Sequence, residues 1–324
     1  MLTKPTGSLG KLEDLSIKLA GIQGKSLPVI NKKAVIVMAA DHGVVEEGIS
    51  AYPQEVTAQM VLNFVNGGAA INAIGRETGS RVVVVDIGVK GKNEFPGVLN
   101  RKIAEGTQNI ARGPAMTTEQ ARQSIETGIE VVNAEYEKGL DIVATGEMGI
   151  GNTTASSAIC AIITGKAAAM VTGKGTGLDS KQLFNKISVI NKALSVNEPD
   201  ASNPLEIMSR IGGFEIGGLA GVILGAAAKR VPVMIDGFIS GAAALIAVGF
   251  CPQVKDYLIA GHLSLEPGHQ SIIEYLDMEP LLNLNMRLGE GTGAALGIAI
   301  AAAACRTLSE MATFAEAGVS DKGG

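Results

Sequence analysis

Three glycine-rich segments hold the residues best placed for chemistry: Thr145-Gly-Glu-Met-Gly-Ile-Gly-Asn-Thr-Thr154, Gly173-Lys-Gly-Thr-Gly177 and Gly289-Glu-Gly-Thr-Gly293. Glycine lets backbone N–H groups approach a ligand closely, and runs of such groups cradle anions. The first segment follows a predicted strand and opens a predicted helix, where a helix N-terminus can receive a phosphate. The other two share the pattern G-x-G-T-G, with Lys174 in one copy and Glu290 in the other. Five residues are too few to establish a duplication.

Several other chemistries fit poorly. A Walker loop requires G-x-x-x-x-G-K-[ST], which is absent, and G-x-G-x-x-G fails in the first segment. The looser G-x-G-x-x-A form occurs at Gly289, Gly291 and Ala294, but no convincing strand precedes it. His42, His262 and His269 lack the spacing of a helical zinc site, and Glu266-Pro-Gly-His269 reads as a turn. They are taken as hydrogen-bonded structural histidines, and no metal is expected. Cys160, Cys251 and Cys305 are odd in number and widely separated in apolar surroundings, so they read as core residues in a reducing compartment.

The elements that must position these segments alternate in period. Leu12, Leu15, Leu19 and Ile22 predict an amphipathic helix over 10–23, with Ser8 available as its cap. Short apolar runs at 33–40, 81–86, 140–145, 231–236 and 257–261 predict buried strands, each followed by glycine or charge. Helices are predicted between them, including 53–66 and 118–138. Such alternation specifies an α/β fold: a parallel sheet with helices on both faces, a Rossmann-like three-layer arrangement. Ligands then sit outside the C-terminal strand ends, where Asp41, Asp86, Glu147 and Asp236 fall. For Asp86 and Asp236 a turn or helix-cap role is preferred.

The chain has 324 residues, of which 42 are glycine and 46% are hydrophobic, without tryptophan. Small residues rather than large ones make the composition apolar, which implies a core of closely approaching backbones. The stretches 237–254 and 291–305 are therefore read as buried helices and no membrane association is expected. A net charge of -5 without a basic stripe gives no reason to expect a nucleic-acid partner. No apolar signal segment follows Met1, so a cytoplasmic location is the expectation.

Eight motifs in order along the chain carry a resemblance: Lys4-Pro-Thr-Gly-Ser-Leu-Gly-Lys-Leu-Glu13, Ala40-Asp-His-Gly43, Val56-Thr57, Asn66-Gly-Gly-Ala-Ala-Ile71, Gly146 to Thr154, Asp236-Gly-Phe-Ile-Ser240, Ser264-Leu-Glu-Pro-Gly-His269 and Arg287 to Ala295. Together they resemble the nicotinate-nucleotide:dimethylbenzimidazole phosphoribosyltransferase family. The resemblance implies transfer of the phosphoribosyl group of nicotinate mononucleotide to an aromatic lower-ligand base in cobamide assembly, with release of nicotinate. It also implies a large α/β domain over 31–280 and a small helical domain from the chain ends. That domain would combine 1–30 with 281–324, the latter including the active-site loop. Its substrates are small molecules, with no cofactor, and its assembly is a homodimer or a heterodimer with a paralogue.

Carried over by motif, Glu290 is the implied general base and Glu147 a second carboxylate near the ribose and base. Phosphate and ribose contacts are implied for Gly149, Gly151, Asn152, Gly173, Gly175, Thr176, Gly177, Lys186, Ser264, Gly291 and Gly293. Lys186 also has the spacing of an ordinary exposed helix lysine. The base would meet Ser50, Tyr52, Gln59, Met60 and Leu288. Two departures from the family pattern stand out: an additional N-terminal segment is expected before Lys4, and a small polar residue and an amide are expected near Tyr52 and Met60. A more apolar wall there favours a related base or a phenol as well as dimethylbenzimidazole. After Val85 stands a single acid, Asp86, where a magnesium-pyrophosphate donor would call for an acidic pair. The competing functions are an NAD-dependent oxidoreductase, which would need its glycine fingerprint where Asp41-His-Gly43 stands, and a silent paralogue subunit, against which Glu290 and Glu147 argue.

Overall fold

The computed structural model describes residues 2–91, 95–175 and 177–320. Its strands are β1 (Lys33–Ala40), β2 (Ser80–Gly88), β3 (Leu99–Asn100), β4 (Ile142–Met148), β5 (Val233–Ile235) and β6 (Leu258–Ala260). They form one parallel sheet in the order β3-β2-β1-β4-β5-β6. The chain builds outward from β1 to β3 and then restarts on the other side at β4. Loops leaving β1 and β4 therefore diverge, opening a crevice at their C-terminal ends.

β1 is buried on both faces, and its side chains divide by the period-two rule of a strand. Ala34, Ile36, Met38 and Ala40 join the core beneath helices Thr118–Glu137, Asn152–Thr164, Phe214–Ala228 and Phe238–Phe250. Val35, Val37 and Ala39 join the other, beneath Lys11–Gln23, Val56–Val65, Ala70–Thr78 and Thr292–Glu310. The expected three-layer fold is thus present. Among the described residues, only Thr292–Glu310 is long and apolar enough to cross a membrane, and half of it is buried, with Ala294, Ile298 and Ala301 in the core.

Small residues set the layer spacing. Helix Thr118–Glu137 crosses Phe214–Ala228 so closely that a methyl group at Gly128 would enter the Gly218 carbonyl, and one at Gly221 the Ile125 carbonyl. Both obstacles are backbone and neither can swing aside. Gly128→Ala is expected to destabilise the fold by about 1–3 kcal/mol through overpacking. Chemical denaturation with an unchanged midpoint would contradict this.

Local expectations failed where tertiary partners decided the outcome. The first helix starts at Lys11 with Gly10 as its N-cap, and Glu13 rather than Ser8 accepts a free N–H, that of Leu9. Glu266-Pro-Gly-His269 is no simple turn: Glu266 stands at the N-cap position of helix Pro267–Tyr275 without a side-chain capping bond, and the proline is in its first turn. The short β3 was not predicted; it extends the sheet by pairing with Val85 and Asp86. Asp86 does hold a turn, its Oδ1 accepting the N–H groups of Gly88 and Val89.

Candidate active site

A cleft of about 540 Å³ opens at the C-terminal ends of β4 and β5. It is lined by Glu147 and Met148 at the end of β4 with Gly149 after it, by Asp236 to Ser240 after β5, and by the Arg287–Glu290 loop. Tyr52, Val56 and Met60 form an apolar wall, while Asn152, Thr153, Gly175, His262, Ser264 and Glu266 contribute polar groups.

Glu290 is held in an uncommon backbone state. Its φ is 62°, in the left-handed region that a non-glycine residue seldom adopts, and Gly289 and Gly291 beside it have φ of 86° and 88°. Three successive left-handed residues turn the chain sharply and press the Glu290 carbonyl against Gly146, where any side chain would collide. The carboxylate is buried and its Oε2 accepts the Ile71 N–H at 3.2 Å. Ile71 stands in the first turn of Ala70–Thr78, so Glu290 satisfies one of that helix's free donors from 219 residues away. Burial raises the Glu290 pKa above the usual carboxylate range, partly opposed by the Ile71 bond.

Asp236 fixes the same loop. Its carboxylate accepts the N–H of Gly291 at 3.2 Å and of Ala294 at 2.9 Å, serving the start of Thr292–Glu310. The expected capping role is therefore real, but for a helix far along the chain, and the side chain also lines the cleft. Burial pushes Asp236 up to about 7 against the pull of those N–H groups. Glu147 is pushed up to about 8, by burial first and then by the nearby Asp236 charge, although Asn152 Nδ2 donates to its Oε2. In the free protein Glu147 thus holds its proton to higher pH than an ordinary carboxyl does. A cation bound beside it would draw the proton off.

These raised carboxyls bind protons more tightly folded than unfolded, so they remove stability as pH rises. His269, pushed down to about 3 by burial and then by His262, acts oppositely, but only up to the ordinary imidazole value of 6.5. Lys186, pushed down to about 8, acts oppositely above that value. Between pH 7 and 8 the Glu147 effect remains, joined in the same direction by His42, which burial lowers but the Glu215 charge and hydrogen bond together raise above the ordinary imidazole value. Unfolding free energy should fall across that interval by up to about 1.4 kcal/mol per group, and Glu147→Gln should flatten the slope. A rising or flat profile in the parent protein would contradict the assignment.

Lys186 is not the exposed lysine its spacing allowed: it is only 1% exposed. Its Nζ donates to Thr153 Oγ1 at 2.7 Å, beside Gly175 and facing the buried Glu266. Thr153 stands in the first turn of Asn152–Thr164, a helix whose N-cap, Gly151, supplies no side chain to its free N–H groups. Arg287 adds a second cation, its Nη1 donating to the Gly175 carbonyl at 2.8 Å. Ser264 Oγ accepts the Glu266 N–H, and its own N–H donates to His269 Nδ1 at 2.9 Å. A buried lysine, an arginine and an uncapped helix N-terminus converge here, as an anionic group requires.

Of the residues proposed from sequence, Glu147, Gly149, Asn152, Gly175, Ser264, Glu290, Tyr52, Met60 and Leu288 line the cleft, and Lys186 reaches it through Thr153. Four of the other glycines pack against protein instead. Gly151 meets His42 and Val45, Gly173 meets Glu266 and Pro267, Gly291 meets Val35 and Gly146, and Gly293 meets the His262 ring; Gly177 lies in open space. Ser50 does not line the cleft; its Oγ accepts the Tyr52 N–H. Gln59 faces solvent, because Val56 and Met60, one turn apart, take the cleft side of their helix. Thr176 lies outside the described residues. Asp236, Thr153, Arg287, His262 and Glu266 were missed as site residues, although four of them stand in the quoted motifs and a charge after a buried strand was available as a signal for Asp236.

A phosphoribosyltransferase family profile matches residues 1–319. The chain belongs to this phosphoribosyltransferase family. It is 58% identical to the nicotinate-nucleotide–dimethylbenzimidazole phosphoribosyltransferase of Desulforudis audaxviator, over 98% of this chain and 91% of that protein. The enzyme of the same name from Chloroflexus aggregans is also 58% identical, covering 99% and 92%. Among solved structures, the corresponding enzyme of Thermus thermophilus superimposes with a TM-score of 0.93 at 45% identity, covering 99% of this chain and 95% of that one. This phosphoribosyltransferase therefore shares sequence and fold with those enzymes along nearly its whole length.

Proposed function

We propose that this phosphoribosyltransferase transfers the 5-phosphoribosyl group of nicotinate mononucleotide to 5,6-dimethylbenzimidazole or a related flat acceptor, giving the α-riboside 5'-phosphate and nicotinate in cobamide biosynthesis. The observation that carries this reading is one cleft that holds an anion-binding end, acids of raised pKa that include Glu147 and Glu290, and an apolar wall. The donor phosphate takes Lys186, Thr153 and Arg287. Tyr52, Val56, Met60 and Leu288 hold the acceptor ring.

The chemistry follows from the leaving group. As the glycosidic bond breaks, the pyridinium nitrogen keeps the bonding pair and leaves as neutral nicotinate ring nitrogen, so no general acid is needed. Positive charge develops at the anomeric carbon. Glu147, losing its proton beside the cationic donor, stabilises that charge. The acceptor nitrogen attacks from the opposite face, inverting β to α, and Glu290 takes the acceptor's N–H or O–H proton. Burial makes Glu290 a stronger base than an exposed carboxylate, and holding both substrates in line supplies much of the remaining acceleration.

The test is incubation of purified protein with nicotinate mononucleotide and dimethylbenzimidazole, with products identified by mass and retention. The α-riboside phosphate and nicotinate are expected in equal amounts, unchanged by exhaustive chelation. Absence of both products refutes the reading. A parallel reaction with p-cresol reports how far the apolar wall admits a phenol.

A further inference from the structure

Three residues of the motifs picked out from sequence have no place in the cleft. Asp41, His42 and Thr57 are buried and line none of it, yet they meet one another and the glycine loop. Thr57 Oγ1 accepts the Ile150 N–H at 3.1 Å, a fully internal bond spanning 93 residues. Ile150 lies between Glu147 and Asn152, which bond to each other, and it lines the cleft itself. Thr57 belongs to helix Val56–Val65, whose Val56 and Met60 form the apolar wall.

The far side of Thr57 is equally constrained. Its hydroxyl faces the Asp41 carboxylate, whose Oδ1 has no well-formed donor, while Oδ2 accepts the Lys90 N–H at 2.8 Å. The adjacent His42 carbonyl accepts Gln54 Nε2 at 3.1 Å, and the Thr57 N–H closes back on the Gln54 carbonyl at 3.0 Å. Beneath, His42 Nε2 pairs with Glu215 Oε1 at 2.6 Å with both side chains buried. The C-terminal end of β1 thus forms a rigid base from which Thr57 reaches Ile150. A single hydroxyl joins the wall helix to the loop that carries Glu147.

We infer that Thr57 is a positioning residue that sets the acceptor wall at a fixed separation from the Glu147–Asn152 loop, so that the ring-binding and ribose-binding halves of the cleft move as one unit. Valine at this position has nearly the same shape and cannot accept the Ile150 N–H, leaving a buried donor unpaired. Serine keeps the acceptor. The inference rests on the proposed transfer reaction.

The experiment compares Thr57→Val, Thr57→Ser and, as a destabilised control remote from the cleft, Gly128→Ala, each assayed with nicotinate mononucleotide and dimethylbenzimidazole. Thr57→Val is expected to lower kcat/KM for both substrates by about tenfold, the scale of one buried unpaired donor. It should also change the preference for dimethylbenzimidazole over unsubstituted benzimidazole. Thr57→Ser should recover most of the loss, and Gly128→Ala should leave both constants and the preference unchanged when assayed where it is folded. Values for Thr57→Val within twofold of the parent, a loss that serine does not recover, or the same loss in Gly128→Ala would each overturn the inference. Should Thr57→Val not fold, amide exchange in the parent protein decides: nicotinate mononucleotide alone should slow exchange in residues 56–60 together with 149–152, and protection confined to 149–152 would overturn it. Inactivity of the parent protein would instead refute the transfer reaction itself.

Discussion

Replacing Glu290 with glutamine is expected to lower turnover by about 10²-fold or more while leaving binding of nicotinate mononucleotide close to that of the parent protein. Glutamine has the same shape, and its side-chain oxygen can still accept the Ile71 N–H that now reaches Glu290 Oε2. The left-handed backbone at φ 62° is no harder for glutamine than for glutamate. The substitution therefore removes basicity and little else. Donor affinity should survive because the phosphate contacts proposed above are Lys186, Thr153 and Arg287; the first two bond to each other and the third to the Gly175 carbonyl, and none bonds to this carboxylate. Steady-state turnover and equilibrium binding of the nucleotide separate the two effects. Turnover within a few-fold of the parent would mean that the acceptor's proton leaves by another route.

How much of this site could be read from sequence depended on how local each determinant is. Strands β1, β2 and β4 were legible because a fully buried parallel strand must be a continuous apolar run, and Lys33–Ala40 is one. The Glu290 loop was legible because alternating glycines mark backbone that few other residues tolerate. Asp236 was half legible. Its capping function was foreseen, but the donors it satisfies, at Gly291 and Ala294, lie far along the chain, so sequence offered no reason to place it against Glu290. Gly151, Gly173 and Gly293 were read as ligand contacts because a glycine beside a ligand and one beside a packed side chain look alike until the fold supplies the neighbour. Ser50 and Gln59 failed for a related reason: proximity in sequence to Tyr52 and Met60 did not determine which side chains faced the cleft.

Lys186 was the least legible residue, and it yields the second large effect. Its helix, Ser180–Asn197, also carries Lys181 and Lys192, and only the tertiary contact with Thr153 and Glu266 distinguishes it from them. Lys186→Met is expected to raise the dissociation constant for nicotinate mononucleotide by about 100-fold, the scale of one charge-assisted hydrogen bond to phosphate. The fold should tolerate the loss, because Glu266 is already raised by burial and can take up a proton once its cationic neighbour is gone. The same residue predicts a pH signature. Burial holds Lys186 down to about 8, so kcat/KM for the nucleotide, which reports the free enzyme, should decline as pH rises through that value. Glu147 is raised to about 8 as well, and because its carboxylate is the form proposed to stabilise the developing charge, its deprotonation acts against the decline, so the parent profile alone does not separate the two. The variants do: Glu147→Gln leaves the lysine in place and should keep the alkaline decline, whereas Lys186→Met should abolish it and start from the low value throughout. An alkaline decline that persists in Lys186→Met, or nucleotide affinity within a few-fold of the parent, would remove Lys186 from the phosphate site.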